Sequence, residues 1–408
     1  MSRTLSGGWL DVYLPLIEKF SESPRKWNWW SSIAAIQATM KRKCYVSRGS
    51  WRLYPNDYHV LVGRPGLGKG AAINPILSIV RRANTANILS DKLTVEYILE
   101  RLAKGFPSTG IGVNGGVTFG VDTSCIFFAP ELSVFLKYPD NELPELADLW
   151  DANEGKKQYG TRGKGLFEVE NATPTMLGGC APGWLVRSIP QHSISGGFTR
   201  RVNFVYYDGE GHVRKPWPTD DDTTYKRLTE PLVEDLRAIA QINGEYKFDN
   251  PARRLFEQIY EESSPNGDCD EATSNYVCSR WAHITKASMA IAASHGDDKV
   301  ICKCHLEEAI DMVEDITEGL KIVFRSVGES DMVVVADKVL LYLEKMPGAT
   351  YQQILSQLWK DVTRDDLIVI LSTLRDGGII NERGMNGTLI YTVPPSAPKK
   401  TRPVNVIF

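Results

Sequence analysis

The residues with the clearest chemical potential form one glycine-rich segment. It reads Gly63, Arg64, Pro65, Gly66, Leu67, Gly68, Lys69, Gly70, Ala71. An apolar run at 59–62 precedes it and a helical pattern follows it, which is the strand-loop-helix context that gives the GxxxxGK spacing a mechanism. Glycines let backbone N–H groups surround a phosphate, while a helix N-terminus and a lysine favour its negative charge. The segment therefore predicts a nucleotide site with Lys69 at the β and γ phosphates.

One position of this segment departs from the usual pattern. Gly70 stands where a serine or threonine would place a hydroxyl on Mg²⁺. Because backbone groups and Lys69 carry most of the phosphate binding, we expect ATP binding to tolerate this change better than metal positioning does. A glycine-rich turn with a chance lysine is the simpler alternative.

Two other features could complete a catalytic set. A buried apolar strand is predicted to end near Glu131, so this carboxylate is the candidate general base, although Pro130 replaces the acid that usually precedes it. Arg200 and Arg201 open a later strand, and an arginine there could neutralise charge on the γ-phosphate of a neighbouring subunit. The simpler alternatives are an acid at a helix start and an ordinary salt bridge.

Composition indicates the class of protein that carries these residues. The chain has 408 residues, of which 42% are apolar and 24% charged, and its formal charge is -3. These values exclude a disordered, fibrous or membrane protein, and any surface for nucleic acid must be local. No apolar run reaches the roughly 18 residues of a membrane helix, and residues 1–10 lack the blocks of a signal peptide. We therefore expect a cytoplasmic protein.

The cysteines predict reduced thiols and no metal site. There are seven, an odd number, with no CxxC pair, which fits a reducing compartment better than a disulfide framework. Cys302, Cys304 and His305, with Cys269 and Cys278 upstream, could bind zinc, but their spacing matches none of the usual zinc patterns.

The periodicity of apolar residues divides the chain into five segments. Residues 1–43 predict helices, and residues 44–221 alternate strands with helices, which indicates an α/β sheet with crossover helices. Residues 222–327 form an all-α block, interpreted as a lid. Residues 332–393 predict three helices and a hairpin, the order of a winged helix. Residues 394–408 form a flexible tail rich in proline and lysine.

Six segments of the chain resemble the AAA+ P-loop ATPase core of replicative helicases. In order they are GRPGLGKG, FFAPEL, TMLGGCAP, GGFTRRVNFV, SRWAHITKASMAIAAS (residues 279–294) and HLEEAIDMV (residues 305–313). The sequence is most similar to minichromosome maintenance and superfamily 3 helicases and to P-loop helicase-like proteins of phages and plasmids. The resemblance covers roughly residues 25–325, and a winged helix also occurs in such proteins.

The resemblance implies a role for each candidate residue. Lys69 is similar to the phosphate lysine, Glu131 to the Walker B glutamate, and Arg200 or Arg201 to the finger that acts on a neighbouring subunit. Arg280, which opens a predicted lid helix, resembles the sensor 2 arginine.

Three positions depart from the pattern of this family. Gly70 lacks the metal hydroxyl, and Pro130 replaces an acid. The sensor 1 asparagine of the family would fall near Ala181, which cannot polarise a water, and the adjacent Cys180 is a poor substitute. These departures bear on turnover more than on the fold or on nucleotide binding.

The resemblance also implies a DNA-binding hairpin. The segment 155–165 is dense in lysine, arginine and glycine and lies between two core strands, where related helicases insert a hairpin into the ring channel. The implied contacts are Lys156, Lys157, Arg162 and Lys164 to phosphates and Tyr159 to a base. A solvated loop is the simpler alternative.

Together these observations predict an ATP-dependent DNA helicase or translocase of a phage, plasmid or similar element, acting in DNA replication in the cytoplasm of a bacterial host. ATP and Mg²⁺ are the expected cofactors. The expected partners are single-stranded or forked DNA, further copies of the chain in a ring, taken as a hexamer, and a primase or polymerase. One alternative is an ATP-switched initiator or helicase loader with weak or no hydrolysis. Another is a degenerate P-loop scaffold that acts through its winged helix and tail.

Overall fold

The chain divides into two compact units, Met1–Phe324 and Arg325–Phe408. The computed structural model describes residues 3, 5–89, 93–111, 117–161, 165–189, 197–209, 222–264, 271–324, 331–359, 361–385 and 388–394. The predicted N-terminal helices, the α/β core and nearly all of the predicted lid therefore belong to one unit. The segment predicted as a winged helix belongs to the other.

The elements of the two units have the following bounds. The helices of the first unit are α1 (Trp9–Phe20), α2 (Arg25–Met40), α3 (Lys69–Ala83), α4 (Val95–Lys104), α5 (Leu132–Phe135), α6 (Pro139–Trp150), α7 (Pro182–Ser188), α8 (Asp222–Ile239), α9 (Asn250–Glu262), α10 (Glu271–His295) and α11 (Lys303–Phe324). Its strands are β1 (Cys44–Arg48), β2 (Trp51–Leu53), β3 (Tyr58–Val62), β4 (Ile88–Leu89), β5 (Phe106–Ile111), β6 (Val117–Asp122), β7 (Ser124–Ala129), β8 (Lys156–Thr161), β9 (Gly165–Glu170), β10 (Thr173–Cys180), β11 (Val202–Tyr206), β12 (Gly244–Glu245), β13 (Lys247–Phe248) and β14 (Val300–Ile301). The second unit contains α12 (Asp331–Lys345), β15 (Ala349–Thr350), α13 (Tyr351–Leu358), α14 (Arg364–Asp376), β16 (Asn381–Met385) and β17 (Thr388–Thr392).

A five-stranded parallel sheet lies at the centre of the first unit, in the order β11-β3-β10-β7-β4. Every residue of β3, β7 and β10 is buried, as expected for parallel strands covered by helices on both faces. β11 pairs with β3 from Val202 opposite Tyr58 to Tyr206 opposite Val62. The expectation of a mixed α/β protein with a parallel sheet is confirmed.

Because the strands are parallel, the sheet has two chemically distinct edges. We call the edge where the strands end the carboxyl edge, and it carries Gly63 and Glu131. We call the edge where they begin the amino edge, and it carries Asp57 and Arg201. Along β3 the two edges are about 20 Å apart, at roughly 3.3 Å per residue.

Two antiparallel hairpins lead into the amino edge. β5 and β6 form the first and precede β7, while β8 and β9 form the second and precede β10. The second hairpin contains the segment that resembles a DNA-binding hairpin. Its residues 162–164 lie outside the described ranges.

The second unit combines three helices with an antiparallel sheet in the order β15-β17-β16. α14 begins after Thr363, whose Oγ1 accepts a hydrogen bond from the backbone N–H of Asp366 at 3.3 Å, which is the predicted cap. The apolar stripe of α14 is buried in the core of this unit. Residues 386–387, at the predicted turn, and 395–408, in the predicted tail, lie outside the described ranges.

None of the helices in the described part of the chain is both long and apolar enough to cross a bilayer.

Candidate functional site

The glycine-rich loop lies at the carboxyl edge, between β3 and α3. Gly66 and Gly68 have φ values of 88° and 85°, a left-handed backbone that glycine adopts without strain. A Cβ at Gly63 would lie 2.8 Å from the ring of Trp27, so a larger residue does not fit there. α3 begins at Lys69, so its first N–H groups face the loop. The loop is therefore suited to surround an anion.

Lys69 folds over this loop. Its Nζ donates hydrogen bonds to the carbonyl oxygens of Gly63 at 2.6 Å and Arg64 at 3.2 Å. Burial lowers the pKa of Lys69, and the nearby Cys180 and Glu131 oppose that shift. The ammonium thus lies within electrostatic reach of both the loop and the predicted general base.

Glu131 lies two residues beyond the end of β7, directly before the short helix α5. Its carboxylate is exposed and accepts a hydrogen bond from Ser133 Oγ at 3.0 Å. Only β10 separates β7 from β3 in the sheet, so Glu131 and the loop share the carboxyl edge. The structure brings the predicted base and the predicted lysine together, and it also places Glu131 at a helix start, as the simpler alternative supposed.

The neighbouring strand β10 ends in residues that offer this edge little polarity. Cys180 is buried, and burial raises the pKa of its thiol, which stays neutral. Ala181 follows as the residue before α7. At Gly179 a Cβ would lie 2.9 Å from Pro130 O and 3.3 Å from Lys69 Cδ, so these two strand ends pack closely. The expected position of sensor 1 therefore carries a methyl group.

The turn between α1 and α2 forms one wall of this site, which the sequence analysis did not predict. Ser21 Oγ donates to the carbonyl oxygen of Ala71 at 3.0 Å. The backbone of Ser23 lies 3.6 Å from the position of a Cβ on Gly68. Trp27 closes the wall against Gly63, as described above. Serines and a tryptophan between two helices have no spacing that signals a nucleotide site, so sequence reasoning had nothing to detect.

Arg201 is held by contacts within its own chain. Its Nε and Nη2 donate to the two carboxylate oxygens of Asp151 at 2.8 Å each, and Nη1 donates to Gly197 O at 2.6 Å. The side chain is buried, with the ring of Trp150 at 5.8 Å. A buried bidentate pair of this kind fixes the guanidinium. The geometry therefore favours the salt-bridge alternative for Arg201 over a finger role.

Arg200 is the member of the pair that could act on another subunit. It is half-buried, and within the described ranges no carboxylate forms an ion pair with its guanidinium. Burial and the charge of Arg201 both lower its pKa. Because Arg200 lies at the amino edge, about 20 Å from the loop of its own chain, it cannot reach a nucleotide bound at that loop.

Arg280 also lies toward the amino edge, which corrects its predicted position. It lies inside α10 and does not open it. Its Nη2 donates to Glu262 Oε2 at 3.2 Å, and its Nε donates to Ser263 Oγ at 3.3 Å. One turn further, His283 contacts the backbone of Arg200. Arg280 therefore does not lie beside the glycine-rich loop of its own chain.

The hairpin of β8 and β9 is present, but its described part is not basic. Lys156 pairs with Glu168 across the strands at 2.8 Å, and Lys157 pairs with Asp148. Glu170, another acidic residue of the hairpin, is exposed. The two further cations of the prediction, Arg162 and Lys164, lie outside the described residues. Phosphate binding by this hairpin thus depends on its tip.

Tyr159 is not placed to stack on a base. Its side chain is 9% exposed, and its hydroxyl donates to Asp148 Oδ2 at 2.6 Å. Alternation along the strand places Tyr159 on the inner face together with Lys157. The structure contradicts the base-stacking prediction, because the ring packs against the protein.

A buried polar cluster at the amino edge was also missed. Asp57 accepts hydrogen bonds from Trp150 Nε1 at 2.7 Å, Asn203 Nδ2 at 3.0 Å and His283 Nδ1 at 2.9 Å. Burial raises the pKa of Asp57, but the opposing effect of nearby cations, His283 first, is larger in sum and lowers it. Asp57 is therefore an ionised carboxylate inside the protein.

His283 joins this carboxylate to the arginine pair. Its Nε2 lies 2.9 Å from the carbonyl oxygen of Arg200, and its Nδ1 faces Asp57. Both partners are hydrogen-bond acceptors, so each ring nitrogen faces an oxygen to which it can donate. On the same face of α10, Lys286 donates to Asn56 O at 2.5 Å, and burial lowers its pKa to about 8. The available signal was a histidine and a lysine three residues apart, directly before a mostly apolar run at 287–293.

The cysteine cluster differs from the prediction. Cys302 and Cys304 form a disulfide, with their Cα atoms 5.4 Å apart, so the expectation of reduced thiols is wrong for this pair. The sulfurs and a ring nitrogen of His305 lie within 4.8 Å of one another, but sulfurs bonded to each other are not thiolate ligands. The free cysteines among the described residues are Cys44, Cys125, Cys180 and Cys278.

In the second unit, α14 exposes apolar and acidic side chains. Ile368 and Val369 are 50% and 49% exposed, and Asp365 and Asp366 lie in the first turn. Reading of the major groove normally uses cations and amides on such a helix. The first turns of α14 therefore offer few of the groups that such reading uses.

No protein-family model matches the sequence. No curated protein matches it significantly.

Proposed function

We propose that this chain is an ATP-dependent DNA helicase or translocase, built on an AAA+ P-loop core with a C-terminal winged helix. The observation that carries the proposal is the meeting of Lys69, Glu131 and the glycine loop at one edge of a parallel sheet. In such sheets ligands bind beyond the carboxyl ends of the strands, where the strand order reverses. Here the chain runs from β3 outward to β4 and later returns to β11, on the other side of β3. The loop lies at that reversal.

The residues at this edge fit ATP better than they fit Mg²⁺. Gly66, Gly68 and the start of α3 offer backbone N–H groups, and Lys69 offers an ammonium. For the metal, Glu131 offers a carboxylate, but Gly70 offers no hydroxyl. Phosphate oxygens and water would supply the remaining ligands.

The proposed chemistry assigns one task to each residue. When bound, ATP supplies the phosphoryl group and Mg²⁺ helps to neutralise its charge. Lys69 exchanges its loop carbonyls for phosphate oxygens and stabilises their charge. Glu131 orients the attacking water and takes its proton. Since neither Cys180 nor Ala181 polarises that water, we expect slow turnover.

Arg200 supports a ring of several copies. It lies at the edge opposite its own loop, so neutralisation of a γ-phosphate by Arg200 requires a second subunit. A head-to-tail interface that closes into a ring meets this requirement, and a hexamer is the proposed ring.

The remaining assignments rest on the resemblance. Single-stranded or forked DNA would pass the hairpin tip with Arg162 and Lys164. The second unit, through α14, would bind a primase or polymerase. The setting would be the cytoplasm of a bacterial cell that hosts a phage or similar element.

A specific observation favours a second function, that of an ATP-switched initiator or helicase loader. The carboxyl edge combines Gly70, Pro130 and Ala181 at positions where metal binding and water activation need polar groups. Such a site can bind ATP and hydrolyse it slowly or not at all.

Steady-state ATP hydrolysis with Mg²⁺, with and without single-stranded DNA, tests the proposal. We would compare the unchanged protein with Lys69→Ala, Glu131→Gln and Arg200→Ala, and measure ATP affinity in parallel. DNA-stimulated turnover that each variant abolishes supports the helicase. Tight ATP binding without turnover supports the switch, and absence of ATP binding leaves only a scaffold.

A further inference from the structure

The protein hairpin of β8 and β9 is connected to Arg200 and Arg201 through one short segment. This segment is the last turn of α6 with the residue after it (148–151). We propose that this turn positions Arg200 and couples it to the hairpin, so that DNA at the hairpin changes the hydrolysis rate on the neighbouring subunit. The inference rests on the proposed function. It assigns a positioning role to Asp148, Trp150 and Asp151.

On the hairpin side, Asp148 holds the inner face of β8. It accepts the hydroxyl hydrogen bond of Tyr159 at 2.6 Å and forms the ion pair with Lys157. A displacement of the hairpin therefore acts directly on the end of α6.

On the arginine side, the same turn makes two separate contacts. Asp151 binds Arg201 in the bidentate pair already described. Trp150 donates to Asp57, and Asp57 binds His283, whose Nε2 donates to the carbonyl oxygen of Arg200. Both routes end at adjacent residues of one short segment, 200–201.

The side chain of Trp150 is packed closely enough that its displacement would displace its neighbours. Asp57 and His283 are fully buried, and Trp150 is nearly so. Lys286 Nζ lies 3.6 Å from the centroid of the Trp150 ring. Because buried, fully bonded groups have no water to replace a lost partner, a movement of Trp150 must be followed by its neighbours.

The experiment compares DNA stimulation of ATP hydrolysis in Trp150→Phe and Asp148→Asn. Trp150→Phe removes the N–H donor and keeps most of the ring, while Asp148→Asn keeps an acceptor and removes the charge. We expect the ratio of the DNA-stimulated to the unstimulated rate to fall about five-fold or more in each, with unchanged KM for ATP. Asp140→Asn, in the first turn of α6, is the matched control and should keep full stimulation.

A double-mutant cycle separates coupling from simple destabilisation. Combining Trp150→Phe with Tyr159→Phe should cost less than the product of the two single losses, since both interrupt one route. Independent losses, or full stimulation in Trp150→Phe and Asp148→Asn, would overturn the inference while leaving the helicase proposal intact. If the unchanged protein shows no stimulation by DNA, the proposed function fails and this inference fails with it. Thermal unfolding of each variant shows whether it is folded. If Trp150→Phe does not fold, the result for Asp148→Asn, at a partly exposed position, decides.

Discussion

The polar and charged side chains at the two edges of the central sheet differ in their exposure to water. At the carboxyl edge, Lys69 is only partly buried and bonds to loop carbonyls, and Glu131 is exposed. At the amino edge, Asp57 and His283 are fully buried, and each is bonded on several sides. Charges near water can exchange partners with a ligand, whereas buried pairs cannot do so without a large cost. The comparison supports placing the proposed chemistry at the carboxyl edge, with the amino edge as the support that positions Arg200.

The largest expected effect is on ATP turnover. It tests whether the carboxyl edge of one subunit meets the amino edge of the next. Lys69→Ala and Arg200→Ala should each lower ATP turnover about 10³-fold or more, because each removes a cation from the γ-phosphate. Mixing the two inactive variants should restore part of the activity. In a random equimolar ring roughly one interface in four then combines an intact Lys69 with an intact Arg200. The measurement is turnover against mixing ratio, and a mixture as inactive as its components would contradict action between subunits.

A matched pair of substitutions compares the stability that each edge contributes. Asp57→Asn should lower the free energy of unfolding by about 3 to 5 kcal/mol, because it removes the buried carboxylate to which Trp150, Asn203 and His283 are hydrogen-bonded. Glu131→Gln makes the same chemical change at an exposed position and should alter it by less than about 0.5 kcal/mol. Chemical denaturation of the two variants measures both values. Equal losses would remove the distinction between the edges.

The amino edge should also respond to acid. Burial lowers the pKa of His59 to about 4 from its ordinary 6.5. Between these values the unfolded chain binds a proton that the folded chain does not, so the free energy of unfolding falls as the pH drops from 6.5 to 4, by up to about 3 kcal/mol.

Replacement of the ring checks this pH dependence. His59→Gln should flatten the curve of stability against pH in that window. Denaturation midpoints at several pH values give the slopes, and equal slopes for His59→Gln and the unchanged protein would assign the acid loss to other groups.

The smallest expected effect concerns the metal. Among the described residues, a Cβ at Gly70 comes within 4 Å of Asn74 Nδ2 alone, at 3.7 Å, so the position admits a side chain. Gly70→Ser should lower the Mg²⁺ concentration needed for half-maximal hydrolysis several-fold, by supplying the missing hydroxyl ligand. Gly70→Ala has the same effect on the helix without the hydroxyl and should leave that concentration unchanged. If the two variants behave alike, the hydroxyl is not what this site lacks.

Much of the local structure was predictable from the sequence. Apolar runs and periodicity predicted the parallel strands and the long helices, because a strand or helix must bury a face of defined spacing. The glycine loop was predictable for the same local reason, since its backbone needs glycine at Gly66 and Gly68. The Thr363 cap was equally local, because its partner is three residues away.

The sequence by itself thus determined the elements, the loop and the identities of the charged residues. Only the tertiary structure decided which of those residues are available. Arg200 and Arg201 are adjacent in sequence, yet Asp151, fifty residues earlier, binds one and not the other. Tyr159 is a hairpin residue in the sequence, but packing against α6 turns it inward. Partners distant along the chain determine the burial and pairing of a charge, and no local pattern records them.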